Sequence, residues 1–334
     1  MTEFMRMVVS ILPVFLFLAA LIVFDSYKLV KLQTVVLTIL IGCLAALICF
    51  LVNNQLYSQL EVDFKTFIRY VSPFTEESVK SIYIIYLLRK HKVGFLVDSA
   101  IYGFAIGTGF AFIENVFYLH SVQNSNFLIW VVRGFGTAVM HGTATAFLAV
   151  FSKSLSDWNQ SVKWFLLLPG LLAAVFTHSF YNHFFLPPAV ITLAFVVLLP
   201  MVFVALFERS EKITRKWLGV GFDTDVELLE MIVSGKISET RIGKYLDSLK
   251  NHFPGEVVAD LFCLLRINLE LAIRAKGILL MRQSGFKAAA APDIKQKLEE
   301  LQYLEKSIGR TGKLAILPFL HTSHRDLWQL YMVK

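Results

Sequence analysis

Long apolar runs separated by short polar breaks fill the first two thirds of the chain. They are Met7–Phe24, Thr34–Val52, Val93–Leu119, Phe127–Phe151, Val162–Tyr181 and Ala189–Phe207. Each reaches the roughly 17–25 residues that a membrane-spanning helix needs. A seventh run, about Thr66 to Leu88, has the same length but contains Arg69, Glu76, Glu77 and Lys80. A helix this polar is tolerated in a bilayer when other helices surround it. The pattern predicts an all-α, polytopic membrane helix bundle of about seven spans over residues 1–207. After Glu208 the apolar positions turn periodic. Val257, Val258, Leu261, Leu264, Leu265 and Leu269 recur at helical spacing, and Asn251–Gly255 is a clear break. Residues 208–334 therefore read as a helical cytoplasmic region, with helices expected over Asp225–Ser234, Ser238–Lys250, Gly255–Ser284, Pro292–Ser307 and Arg325–Tyr331.

Composition agrees with a membrane protein: hydrophobic residues make up 56% and charged residues 17%. Loop charge sets a direction. Lys28 and Lys31, the run Arg89–Lys92, Lys153 with Lys163, and Arg209 with Lys212, Arg215 and Lys216 follow alternate spans. The intervening loops are poor in Lys and Arg. The excess of Lys and Arg on cytoplasmic loops then places the amino terminus outside and the carboxyl terminus in the cytoplasm, with Arg6 alone dissenting. Residues 208–334 carry 20 Lys/Arg against 16 Asp/Glu, a balance that suits a face opposite anionic lipid and calls for no nucleic acid. Glu3 precedes the first run and no small-x-small cleavage site follows it, so that run reads as a retained span. Cys43, Cys49 and Cys263 form no framework and are expected as free thiols.

The ionisable groups inside the spans carry the functional signal. Each costs roughly 2.5–3.5 kcal/mol at the centre of a helix on insertion scales. On a helix Glu76 and Glu77 lie four and three residues from Lys80, so one lysine can neutralise one of them. Pro73 withdraws an amide from the carbonyl of Arg69 and is expected to kink the helix before the glutamates. A surface amphipathic helix would explain the same residues. Phe110, Glu114 and Tyr118 share one face of the next span, with Asn115 beside them. Gly103, Gly107 and Gly109 would let another helix approach closely. A structural carboxylate is the plain alternative for Glu114. Arg133 and His141 lie on the following span, and His178 and Asn182 point together on the next. A lone membrane histidine such as His141 is often a packing residue. Under the inferred topology all these groups fall between the outer half and the middle of the bilayer.

At these residues the chain resembles the PrsW family of intramembrane proteases, related to the CAAX-processing and bacteriocin-processing membrane proteases. The likeness rests on Glu76-Glu77-x-x-Lys80, Phe110-x-x-x-Glu114-Asn115-x-x-Tyr118, Arg133 with His141, and His178-x-x-x-Asn182. It implies an intramembrane endopeptidase in a bacterial cytoplasmic membrane that cuts a membrane-anchored substrate, such as an anti-sigma factor, on its outer side. It implies Glu76 as general base and Glu77 as an electrostatic partner of Lys80 or Arg133. Glu114 would orient water or shuttle the proton, and His178 and Asn182 would donate to the oxyanion. Asn115, Arg133 and His141 would support them. The CAAX-type enzymes usually carry histidine where this chain has Glu114.

Other chemistries fit the residues less well. There is no His-Glu-x-x-His, no Gly-x-Ser-Gly and no pair of intramembrane aspartates. A glutamate-activated water without a cofactor is the leading expectation, and a divalent metal such as zinc, held by Glu76, Glu114, His141 and His178, stays open. Buried Glu, His and Arg also mark proton- or ion-coupled transporters, which would favour internal repeats or broken helices; neither is visible. A non-catalytic membrane scaffold would explain the tail but not the buried charges.

Overall fold

The computed structural model describes residues 3–25, 30–90, 92–122, 126–158, 164–286 and 293–316. Lys28, His91, Lys163 and the helix expected at Arg325–Tyr331 lie outside the described residues. The described residues form helices joined by short connections and fall into two compact units, Met1–Ser210 and Glu211–Lys334.

In the first unit α1 (Glu3–Val23), α2 (Leu32–Gln59), α5 (Leu96–Ser121), α7 (Ala138–Trp158), α8 (Leu168–His183) and α9 (Pro188–Val233) are the main helices. Two further helical stretches bear on the site. The first joins α3 (Phe64–Thr66), a π-helical turn (Phe67–Val71) and α4 (Ser72–Arg89). The second joins α6 (Phe127–Val131) and a π-helical turn (Val132–Thr137) to α7. Among the described residues, six helices are long and apolar enough to cross a membrane. The Phe64–Arg89 stretch is not among them: it is long enough for ~30 Å of hydrocarbon, but it carries the charges that defeat a hydropathy criterion.

The expected proline kink takes a specific form. The amide of Ser72 bonds to the carbonyl of Phe67, five residues back, so the helix widens by one residue just before Pro73. Widening absorbs the amide that proline lacks, and such π bulges gather at functional sites. Two boundaries differ from the sequence pattern. Helix α2 runs on to Gln59, so Asn53 is helical and not the start of a loop. Helix α9 continues to Val233 through the change of composition at Glu208, because that region, though charged and carrying Gly219 and Gly221, contains no proline.

Helix α5 is the centre of the bundle, buried from Val97 to Ala111. Its small residues allow this. A Cβ on Gly103 would lie 2.6 Å from the Thr145 carbonyl oxygen of α7, and one on Gly107 or Gly109 would collide with the backbones of α7 and α2. Phe17 stacks on Phe104 at 5.0 Å between centroids, and both rings meet Phe203, which pins α1, α5 and α9 together. Leu16, Leu40, Leu51, Phe176, Leu193 and Met201 remain exposed, as a lipid-facing surface requires.

The second unit contains the end of α9, α10 (Arg241–Ser248), α11 (Gly255–Gln283), α12 (Ile294–Ser307) and α13 (Gly309–Ile316), the last unforeseen in the sequence. Leu261, Leu264 and Leu265 of α11 form a core with Leu246, Leu298 and Leu301. A buried Lys276–Asp225 ion pair at 2.7 Å joins α11 to α9, and Arg274 holds Asp293 through two 2.7 Å contacts at the start of α12.

Candidate active site in the membrane bundle

Helix α4 brings two adjacent glutamates to different surroundings, because neighbours on a helix diverge by about 100°. Glu77 points into the bundle and is fully buried. Its Oε1 accepts from Lys80 Nζ at 2.6 Å and from His178 Nδ1 of α8 at 2.9 Å; its Oε2 accepts from Thr145 Oγ1 of α7 at 3.3 Å. A buried ion pair is tolerated when further hydrogen bonds satisfy its remaining valences, as here. Lys80 also lies 3.3 Å from His141 Nδ1 and 4.3 Å from the centroid of Phe110.

Glu76 faces α2. Its Oε1 accepts from Ser72 Oγ at 2.5 Å and from Asn53 Nδ2 at 3.2 Å, while its Oε2 lies 3.9 Å from His178 Nε2. A carboxylate paired with lysine only accepts hydrogen bonds, so the contact with Glu77 requires the proton on His178 Nδ1. In the neutral ring Nε2 then carries the lone pair and lies on the side toward Glu76.

The third carboxylate comes from α5. Glu114 Oε2 lies 2.8 Å from His141 Nε2 and its Oε1 lies 3.2 Å from Arg133 Nη2. Arg133 sits in the second π-helical turn. Its Nε donates to Asn115 Oδ1 at 2.9 Å, its guanidinium lies 3.5 Å above the Tyr118 ring, and Asn115 in turn donates to the Ser10 carbonyl of α1 at 2.7 Å. The imidazoles of His141 and His178 meet edge to face with centroids 4.7 Å apart.

The structure thus gathers Glu76, Glu77, Lys80, Glu114, Asn115, Arg133, His141 and His178 into one continuous polar network. Asn182 stands apart from it. Its Nδ2 donates to the Ile68 carbonyl at 2.9 Å, and Ser179 Oγ donates to that of Arg69 at 2.6 Å. Both side chains therefore satisfy backbone carbonyls of the first π-helical turn. Sequence reasoning passed over Asn53, Ser72 and Thr145. Thr145 was reachable, since it follows His141 by four residues and shares its face. Asn53 was hidden by the α2 boundary.

Glu76, His141 and His178 each offer one ligand atom, and these atoms lie within 4.8 Å of one another. One carboxylate with two imidazoles is a donor set that zinc hydrolases use. The Glu77 contact that orients His178 is the second interaction such ligands usually make. His141 has both ring nitrogens engaged, by Lys80 and by Glu114, and must release one of them to offer a lone pair. The donor set fits a divalent cation, and with it the balance moves away from chemistry without a cofactor.

A family model described as PrsW family intramembrane metalloprotease matches residues 30–207, which include every residue of the network except Ser10. No curated protein and no solved structure matches the chain. With a polytopic helical bundle and this match over more than half its length, the chain belongs to the PrsW family of intramembrane metalloproteases.

Proposed function

We propose that the protein hydrolyses a peptide bond of a membrane-anchored protein, with Glu76, His141 and His178 holding a divalent cation and Glu114 accepting the proton of water. The observation that carries this reading is the convergence of one carboxylate and two imidazoles from three helices. The bound ion would supply Lewis-acid chemistry, polarising a carbonyl and acidifying water.

The remaining roles follow from contacts. Glu77 keeps His178 in the ligating tautomer, and Lys80 balances the charge of Glu77. Glu114 is the most open of the three carboxylates, with 28% of its side chain exposed against 12% for Glu76 and none for Glu77. Glu114 would take a proton from water and pass it to the departing amine. Arg133, braced by Asn115 and Tyr118, keeps positive charge beside Glu114. This departs from the reading of Glu76 as general base, because one oxygen of Glu76 is held by Ser72 and Asn53 and the other is turned to His178. Asn182 is assigned to the π-helical turn and not to an oxyanion site.

The substrate class follows the family resemblance: a membrane-anchored regulator such as an anti-sigma factor, cut on its outer side in a bacterial cytoplasmic membrane. The site lies toward the end of the bundle that holds Glu3, Leu60 and His183, while Lys31, Arg89, Lys90 and Arg209 lie toward the other. The positive-inside tendency then puts the site outside. Residues 208–334 are assigned a regulatory or stabilising role in the cytoplasm. The relation to the CAAX-type enzymes belongs to the same proposal. The test is a membrane-anchored reporter reconstituted with the purified chain. Glu114→Gln should abolish cleavage while zinc binding persists; undiminished cleavage by that variant would remove Glu114 from the mechanism.

A further inference from the structure

We propose that Asn53, on α2, is a positioning residue that fixes the carboxylate of Glu76 for cation binding. The inference rests on the reading of Glu76 as a ligand and adds to it a residue from a helix that contributes no ligand itself.

A glutamate carboxylate can turn either oxygen toward a cation, because its terminal torsion is broad and roughly two-fold. Here the two oxygens are made different. Asn53 Nδ2 donates to Glu76 Oε1 at 3.2 Å and to Ser72 Oγ at 3.0 Å, and Ser72 Oγ donates onward to the same Oε1 at 2.5 Å. Two donors converge on Oε1. Oε2 is left facing His178 Nε2 at 3.9 Å. The direction of the Asn53 amide is itself set, since Thr75 Oγ1 donates to Asn53 Oδ1 at 2.5 Å. Turning the amide over would place its carbonyl oxygen against the Glu76 carboxylate and its amino group against the Thr75 hydroxyl. The network identifies the nitrogen.

The location strengthens the case. Asn53 follows the buried Cys49 by one helical turn, so it lies on the side of α2 that faces the bundle. A primary amide on a membrane helix finds few partners other than those of neighbouring helices. Its partners here belong to α4 and the residue that opens it. Residues that orient a metal ligand typically change metal affinity 10–100-fold when removed, even though they never touch the ion.

The test uses the purified full chain in detergent with zinc as the probe. Zinc dissociation constants come from competition with a chromophoric chelator, and melting temperatures are measured on zinc-free protein. Asn53→Ala should weaken zinc binding about tenfold or more and leave the zinc-free melting temperature unchanged. Asn53→Asp, which points an acceptor at Glu76, should bind more weakly still. Asn53→Gln, which keeps the amide, should recover part of the affinity. If Asn53→Ala also lowers the zinc-free melting temperature, Thr75→Val decides. It keeps Asn53 and removes the bond that orients its amide, along with the Thr75 hydroxyl's contacts with the Val71 and Ser72 carbonyls, so unchanged affinity there overturns the proposal. Wild-type affinity in Asn53→Ala overturns it as well and leaves the three-ligand reading standing. A wild-type chain that binds no zinc removes both.

Discussion

His178 Nδ1 lies 2.9 Å from Glu77 Oε1, the same oxygen that Lys80 approaches to 2.6 Å. One buried carboxylate therefore fixes the tautomer of a candidate ligand and neutralises a buried lysine. The two tasks are separable. Glu77→Gln leaves Lys80 without its counter-charge, and breaking a buried pair on one side costs about 3–5 kcal/mol. Glu77→Gln combined with Lys80→Met removes both charges and should recover most of that loss. Zinc affinity should stay reduced in both variants, since neither has a carboxylate on His178. Thermal unfolding and chelator competition on the two variants check this. A double variant no more stable than the single one would show that the ion pair is not what Glu77 contributes to folding.

Helix contact at the centre of the bundle depends on missing side chains. A Cβ on Gly107 would strike the backbone of His141 and Gly142, whereas one on Gly277 of α11 would meet nothing within 4 Å. Gly107→Ala should cost about 1–3 kcal/mol by overpacking and should also disturb the site, since it pushes on His141. Gly277→Ala should be neutral or stabilising by up to about 1 kcal/mol, as helix propensity favours alanine. Unfolding of the two variants in the same detergent compares them. Equal effects would contradict the close approach of α5 and α7.

Much of this arrangement could be read before the structure. Apolar runs marked the membrane helices, and the glycines of α5 marked a close contact. Three-residue spacing allowed Lys80 to pair with Glu77. What stayed hidden depends on three-dimensional placement. Spacing along one helix cannot say that His141 and His178 of two other helices meet edge to face. The π-helical turn before Pro73 leaves no signal beyond the proline itself. Asn53 looked like the first residue of a loop because polar residues follow it. Asn182 looked like a partner of His178 because four-residue spacing aligns them, yet its amide is drawn to the carbonyl of Ile68. Backbone carbonyls freed by a π turn are invisible to side-chain patterns.

In the second unit a carboxylate outside the membrane spans carries a pH dependence. Glu270 of α11 accepts from Arg266 Nε at 2.9 Å and contacts Lys297 of α12. Burial pushes its ionisation upward, but the bonds to Lys297 and Arg266 outweigh burial and hold it below the usual carboxylate range. A group whose folded value is depressed stabilises the fold above its unfolded value, about 4.3, and loses that contribution as pH falls through the folded value. Hydrogen exchange in α12 of the full chain should therefore speed up, after correction for intrinsic rates, between about pH 5 and pH 3. Glu270→Gln should flatten this rise. An unchanged profile in that variant would assign the acid response to other groups.

The central claim is that Glu76, His141 and His178 form a cation site on which peptide hydrolysis depends. Its most direct test is cleavage of a membrane-anchored reporter by the purified full chain, measured beside metal content before chelation, after chelation and after zinc is restored. The account predicts about one ion per chain, loss of cleavage as that ion is removed, and recovery on adding zinc. Glu76→Gln, His141→Ala and His178→Ala should each lose both the ion and the activity. Full cleavage by a chain shown to be free of metal would contradict the claim and return catalysis to a glutamate-activated water alone.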